Sequence, residues 1–352
     1  MARNAYARVT IEGQDVTAQL EKYIVSFQFT DSIEGQSDVA ELTLQDCEGI
    51  FASSSFPQRG SSANVEMVRA NWNADDTVEV LNIGAMELDE VLTAYPPLTC
   101  KIKFNSVCNS MRLRGVEKFR SWEKTNIRQI AQDIASDAGC SLFFDADDFQ
   151  LQRVEQSQES SLALLKKLCD DNGLILKVSN NRIIIADALK YESQAPVTSL
   201  HFGSSAIVKF SASATISKVY GDSRVVFKSN SVADYFLKYF DMFKGNVGIK
   251  MPSIGRGVIK GAGDTTLRVL QKVSSEAEAR RLAKAKLREA NKDEIKLAIE
   301  FVGNFIYVAG NVINLDDSFG VYTGNYIIDK AVHAISGSGY RTMVEVHRCL
   351  NY

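Results

Sequence analysis

Any chemistry in this chain has to come from three histidines, six cysteines, a few carboxylate clusters and two glycine turns. His201, His333 and His347 are the natural general bases and metal ligands, yet none stands at ligand spacing from a cysteine or carboxylate. His333 and His347 fall on the two arms of what reads as the last hairpin and could approach one another across it. Partly buried strand histidines are the plainer reading than metal ligands. Asp145, Asp147 and Asp148 have the composition of a calcium loop but lack its glycine and closing glutamate, and so read as a solvated turn. Gly35-Gln36-Ser37-Asp38-Val39 approaches a G-x-S-x-G nucleophile elbow and lacks the last glycine. Gly261-Ala262-Gly263 opens like a dinucleotide loop, but Asp264-Thr265-Thr266-Leu267 brings no third glycine. Carboxylate pairs for glycoside hydrolysis are defined by separation in space, and the sequence singles out none. The expectation is no catalytic, cofactor-binding or metal-binding residue, and no enzyme. The cysteines, at 47, 100, 108, 140, 169 and 349, form no CxxC pair. A chain of 352 residues has core enough without staples, so reduced thiols are expected.

Charge is unevenly placed. Residues 1–100 carry 5 Lys/Arg against 16 Asp/Glu, a net of −11, and the remainder carries 35 against 27, a net of +8, which together give −3. An acidic first domain would repel a nucleic-acid backbone, and the rest is too weakly basic to bind one. No apolar run approaches bilayer length, and the first residues hold no apolar signal core, so synthesis in a cytoplasm is expected.

The elements that would position functional groups are mainly β. Alternating apolar residues mark strands at 7–11, 39–44, 63–68 and 101–104, separated by turn-rich breaks, as in a barrel or sandwich. Residues 119–204 differ. Ile127, Ile130, Ala131, Ile134 and Ala138 lie on one helical face, with Thr125 or Asn126 to cap its start and Gly139 to end it. A second helix is expected to open at Ser157. It carries Leu162, Leu165 and Cys169 on one face with Leu164 and Leu168 beside it, and stops at Gly173. Strands follow both helices, so the pair forms a weak repeat of helix, glycine, strand. Ser179-Asn180-Asn181 suits a tight hairpin.

From residue 205 the β pattern returns at 207–210, 217–220 and 225–228. A glycine-rich arm is expected over 229–272. Ser275 and Glu278 form a capping box ahead of a helix over 275–291. Its apolar stripe is Ala279, Leu282, Ala283, Leu287 and Ala290, and its outer face is Arg280, Arg281, Lys284 and Arg288. Three strands close the chain near 295–302, 325–335 and 340–348, the last two joined at Gly337-Ser338-Gly339.

A series of motifs occurs in order over nearly the whole length. They begin with Phe29-Thr30-Asp31, then Ser37-Asp38 and the strand AELTLQD. Next come Pro57 and Gly60, then Gly84 with AMELDEV and Tyr95-Pro96-Pro97. LRGVEKFRSW follows, with Thr125 opening the helix, then Gln156 and Glu159-Ser160 before LALLKKL. SSEAEARRLAKAKL, Val308-Ala309-Gly310 and the ending YIIDKAVHAISGSGYRTMVEV complete the set. In this order they resemble the phage late control D family, the hub component of contractile tails. Residues 245–263 depart from the pattern.

The resemblance implies an α+β, mainly β fold. Two related β-barrel domains, at 1–118 and 205–352, would flank a helix–strand insert at 119–204. Three copies would form a ring whose six barrels face the hexameric tail tube while its threefold meets a trimeric central spike. The implied partners are a homotrimer, the tube, the spike and other baseplate proteins in the virion tail baseplate, with DNA passing an acidic lumen unbound. Residues 121–145 are also similar to peptidoglycan-binding LysM repeats, which implies a wall-binding tail module as the alternative. A tail-associated hydrolase is expected to need a further domain, and an end at Tyr352, just past the last strand, leaves no room for one.

Overall fold

The computed structural model describes residues 2–34, 37–46, 48–51, 58–106, 113, 115–215, 219–226, 246–250, 265–271, 273 and 275–350, with 226 and 246–250 described by backbone alone. The first strand set comprises β1 (Asn4–Ile11), β2 (Gln14–Asp15), a short helix α1 (Thr17–Leu20), β3 (Ile24–Ser32), β4 (Val39–Gln45), β5 (Ser62–Ala70), β6 (Val78–Ala94) and β7 (Thr99–Asn105). Every second residue of β4 and β7 points inward, which buries Ala40, Leu42, Leu44, Ile102 and Phe104 completely. Each large side chain so buried contributes about 1.5–3 kcal/mol. All four strands read from sequence alternation are present. Between them β6, which that alternation did not mark, runs for 17 residues and serves two partners: its first half pairs with β5 and its second with β7. Register breaks at Val65/Glu66 and Leu88/Glu90 let so long a strand bend between them.

The middle segment comprises β8 (Glu117–Thr125), α2 (Ile127–Ala138), β9 (Ser141–Asp145), β10 (Leu151–Ser160), α3 (Ser161–Asn172), β11 (Leu174–Ser179), β12 (Arg182–Asp187) and α4 (Ala188–Glu192). Asn126 is the cap of α2, accepting from the Gln129 amide, and Gly139 closes it at φ 73°. The five apolar positions expected on one face of α2 are all buried. The second helix starts later than its composition suggests. Ser157 lies in β10, and Ser160 caps α3 by accepting from the Ala163 amide. Residues 151–160 pair with β8 as a strand, and the helix begins only after them. The buried face of α3 is accordingly Ser161, Leu164, Leu165 and Cys169, with Leu162 only partly covered. Asn180 and Asn181 both have positive φ, as a two-residue turn between β11 and β12 requires.

The last part comprises β13 (Thr198–Leu200), β14 (Ile207–Ala214), β15 (Asp222–Val226), β16 (Asn246–Lys250), β17 (Thr266–Val269), α5 (Glu276–Asn291), β18 (Ile295–Val302), β19 (Val312–Leu315), β20 (Gly324–Ser336) and β21 (Gly339–Arg348). It has its own core around Phe301, Tyr326, Ile328 and Val344. Residues 217–218 of the expected strand at 217–220 and much of the glycine-rich arm lie outside the described residues, and Val219 and Tyr220 are not in a strand, which begins at Asp222. Within that arm, β16 and β17 are strands that pair with β15. Val225 and Val269 then pack on Ala279, Leu282 and Ala283 of α5.

The two strand sets meet along one seam, where Ser26–Ser32 of β3 pair with Lys330–Ser336 of β20. That seam joins them into a single thirteen-stranded sheet. Its two ends keep separate apolar cores, and the middle segment holds a third.

Candidate assembly surfaces

The middle segment is tied to the rest by charged side chains in unusual places. Lys177 sits in the apolar strand β11 and reaches out of it to contact Asp31 of β3, with Asp38 at 3.3 Å. The Ala309 amide donates to the other oxygen of Asp31 at 2.8 Å, and the Ser32 amide donates to Asp38 at 3.2 Å. Both carboxylates are buried. Burial and the nearby Asp31 charge push the Asp38 carboxyl up to about 6, against the pull of Lys177. Burial pulls the Lys177 ammonium down, but the two carboxylates outweigh it and hold it above its usual value. The Phe29-Thr30-Asp31 and Ser37-Asp38 motifs therefore supply the socket for a lysine about 140 residues away in the chain.

A second tie is made by the hairpin tip. Asn180 Oδ1 accepts from the Ala85 amide at 3.1 Å, and the Asn180 amide donates to Ser106 Oγ at 2.9 Å. Gly84 has φ +91°, and a Cβ there would lie 2.7 Å from Asn180 Cγ. Glycine is required at this position by both its backbone angle and the close approach.

The third tie is at the other end. Arg288 was expected on the outer face of α5, yet it is buried against Glu192 of α4 and donates to the Leu350 carbonyl at 2.8 Å. Glu192 also accepts from the Leu350 amide at 2.6 Å and lies 3.8 Å from His347. His347 Nδ1 is 2.7 Å from Asp329. Burial disfavours the His347 imidazolium, but Asp329 and Glu192 outweigh it and raise its pKa to about 9. A helical wheel cannot foresee this inward arginine, because its partner comes from outside the helix.

The expected histidine pair does not form. His333 opposes Thr342 and His347 opposes Ile327, six residues further along β20, or about 20 Å at strand spacing. His333 is fully buried with Nε2 2.9 Å from the Tyr307 carbonyl and Nδ1 2.7 Å from Tyr340 Oη. The carbonyl can only accept, so Nε2 carries the proton and Nδ1 accepts from the tyrosine. Burial lowers its pKa to about 4 and keeps it neutral. His201 is exposed beside Asp316 at 3.0 Å. Among the described residues no cluster of three His, Cys, Asp or Glu could hold a metal. Of the acidic triplet, Asp145 contacts Lys190 and Asp148 lies 4.0 Å from Arg128. Gly35, Gln36 and residues 261–263 lie outside the described residues.

The expectation of reduced thiols fails at Cys140, which is disulfide-bonded. Proximity in space decides pairing, and chain length does not exclude it. Cys100, Cys169 and Cys349 are free and buried.

Two features are exposed. Among the described residues β14 ends the large sheet, so one edge of its eight residues is unpaired. Beside it, Phe202 is 57% exposed and meets Phe210 and Phe319 edge-on, with Val208 and Val321 also exposed. In the first strand set, Val78 and Val80 of β6 are exposed as well. The segment similar to LysM repeats uses its apolar helix positions internally, against the strands of the middle core. No described helix is long and apolar enough to cross a membrane.

No family model matches the chain. A probable baseplate hub protein of Escherichia phage 186 is 24% identical over 184 residues, which are 51% of this chain and 44% of that protein. The match thus spans less than half of the relative's length. The prophage MuSo2 43 kDa tail protein from Shewanella oneidensis has the same fold, with a TM-score of 0.73 and 13% identity over 99% of each chain. An E. coli component of the type VI secretion system, described as similar to T4 tail proteins gp27 and gp5, superimposes with a TM-score of 0.56 and 10% identity over 97% of this chain and 76% of its own. The chain is thus similar in sequence, over half its length, to a phage baseplate hub protein, and it shares its fold with a prophage tail protein.

Proposed function

We propose that this protein is a structural hub of a contractile tail baseplate, in which three copies form a ring joining the hexameric tail tube to a trimeric central spike. The observation that carries the reading is the seam between β3 and β20, which joins two strand sets, each with its own core, in one sheet. Three such copies offer six sheet units to a sixfold partner and one threefold axis to a trimeric one. The unpaired edge of β14 and the apolar residues around Phe202 are suited to a neighbouring copy, since open edges and large apolar patches mark contact surfaces. The acidic first set, with its net of −11, fits a lumen that nucleic acid crosses without sticking. No enzymatic step is part of this reading.

Mixing the protein with purified tube and spike proteins and imaging the product by electron microscopy tests it. A threefold ring seated between tube and spike is expected. Failure of the protein to join either component under any mixing order would refute the proposal.

A further inference from the structure

Two strand edges of the large sheet complement each other. From β14 to β6 the sheet runs through eight strands in the order β14-β18-β21-β20-β3-β4-β7-β6, each antiparallel to the next. Because the number is even, β14 and β6 run in opposite directions. β14 has one open edge. In β6, Leu88 still bonds to Gly60 and Ser61, but beyond it residues 89–94 pair with β7 alone. Among the described residues nothing hydrogen-bonds the other backbone edge of 89–94. Asp89 and Glu90 are exposed on β6, and Lys209 is exposed on β14. Leu92 and Val208 stand near them, 55% and 45% exposed. Glu90 lies opposite Lys103, which lies opposite Glu41, and Lys209 lies opposite Glu300. Charge therefore alternates in sign from strand to strand along the solvent face of the sheet.

We infer that the 89–94 edge of one copy receives β14 of the next, and that opposite charges on the two edges select this head-to-tail joint over a twofold dimer. The inference rests on the ring proposed above and specifies its contact. Two different patches of one chain, joined by a rotation that closes, make a ring, whereas a patch that meets itself makes a dimer. The open backbone groups of both strands pair antiparallel, as their directions require. With the solvent faces shared, Lys209 comes opposite or diagonal to Glu90. The order Glu300, Lys209, Glu90, Lys103 then continues the alternation of sign across the joint. Leu92 and Val208 lie along the same joint and are covered by it. Two β6 edges meeting each other would instead gather the Asp89 and Glu90 of both copies, and two β14 edges would gather two lysines. Like charges so placed oppose either dimer.

The test is solution mass against protein concentration for the full chain and three variants: Lys209→Glu, Glu90→Lys and the two combined. One series uses the protein alone and a second adds a trimeric spike protein, so assembly on the spike is also read. Both residues are exposed, and circular dichroism and melting check that each variant folds. Each single variant sets like charges across the joint and should need at least tenfold more protein to form the trimer. The combined variant restores opposite signs and should return to the native midpoint. A native trimer that neither single variant weakens, or a combined variant no better than the singles, overturns the inference and leaves the ring standing. A native particle of two copies, or one that stays at a single chain's mass in both series, overturns the inference and the ring together.

Discussion

Lys177 stands out in its strand, where its neighbours Leu174, Ile175, Leu176 and Val178 are all apolar and buried. Replacing it with Met leaves Asp31 and Asp38 facing each other without a cation. Breaking a buried pair from one side costs about 3–5 kcal/mol, and urea unfolding should show a loss of that order. The pH dependence carries a sign. Asp38 is raised from 3.8 to about 6, so between those values the folded state keeps a proton that the unfolded chain has released. Its contribution to stability therefore falls as pH rises through that window, and in Lys177→Met the fall should deepen and extend to higher pH. His347 acts at the other end of the scale. It is raised from 6.5 to about 9, so its contribution is complete below 6.5 and lost as pH rises through 9. Thermal melts from pH 6 to 10 should show that decline in the native protein, and His347→Gln should melt lower at pH 6 with the decline flattened. These residues were poorly legible in the sequence. A lone Lys in an apolar strand, or an Arg on a helix, looks like a solvated charge until its partners arrive from distant segments.

At the scale of elements, periodicity was legible where a segment's own pattern decided its fate. The face of α2, the glycine stops at 139 and 173 and the Asn180-Asn181 turn all follow from local rules. The start of α3 did not, because strand pairing with β8 overrides the capping propensity of Ser157. Ser160→Ala should therefore destabilise by about 1 kcal/mol, the usual worth of an N-cap, while Ser157→Ala should stay within about 0.5 kcal/mol. Equal effects in chemical denaturation would mean the helix begins where composition alone suggests. Gly84 tests the contact between β6 and the hairpin tip. Gly84→Ala should cost about 1–3 kcal/mol, from positive φ together with the clash on Asn180. In an Asn180→Ala background the cost should shrink, since the amide group it strikes is gone. A double-mutant cycle with no coupling would show that the tip does not rest on that strand.

For the whole molecule, alternation and helical periodicity suggested a β region, a helix–strand region and a second β region, and charge set off only the first hundred residues. It did not show that β3 and β20 fuse the two β regions into one sheet, because pairing residues about 300 apart is a tertiary fact that alternation cannot encode. The exposed features were equally hidden: the open edge of β14 and the apolar cluster at Phe202 are defined only once the sheet is built. The account stands or falls on whether such a block closes into a ring. The most direct measurement is solution mass by light scattering, for the protein alone and with a candidate trimeric spike protein. A mass near three times 38.9 kDa, about 117 kDa, or a three-plus-three complex formed on the spike, is the predicted result. A particle that remains at 38.9 kDa in both samples at every concentration would contradict it.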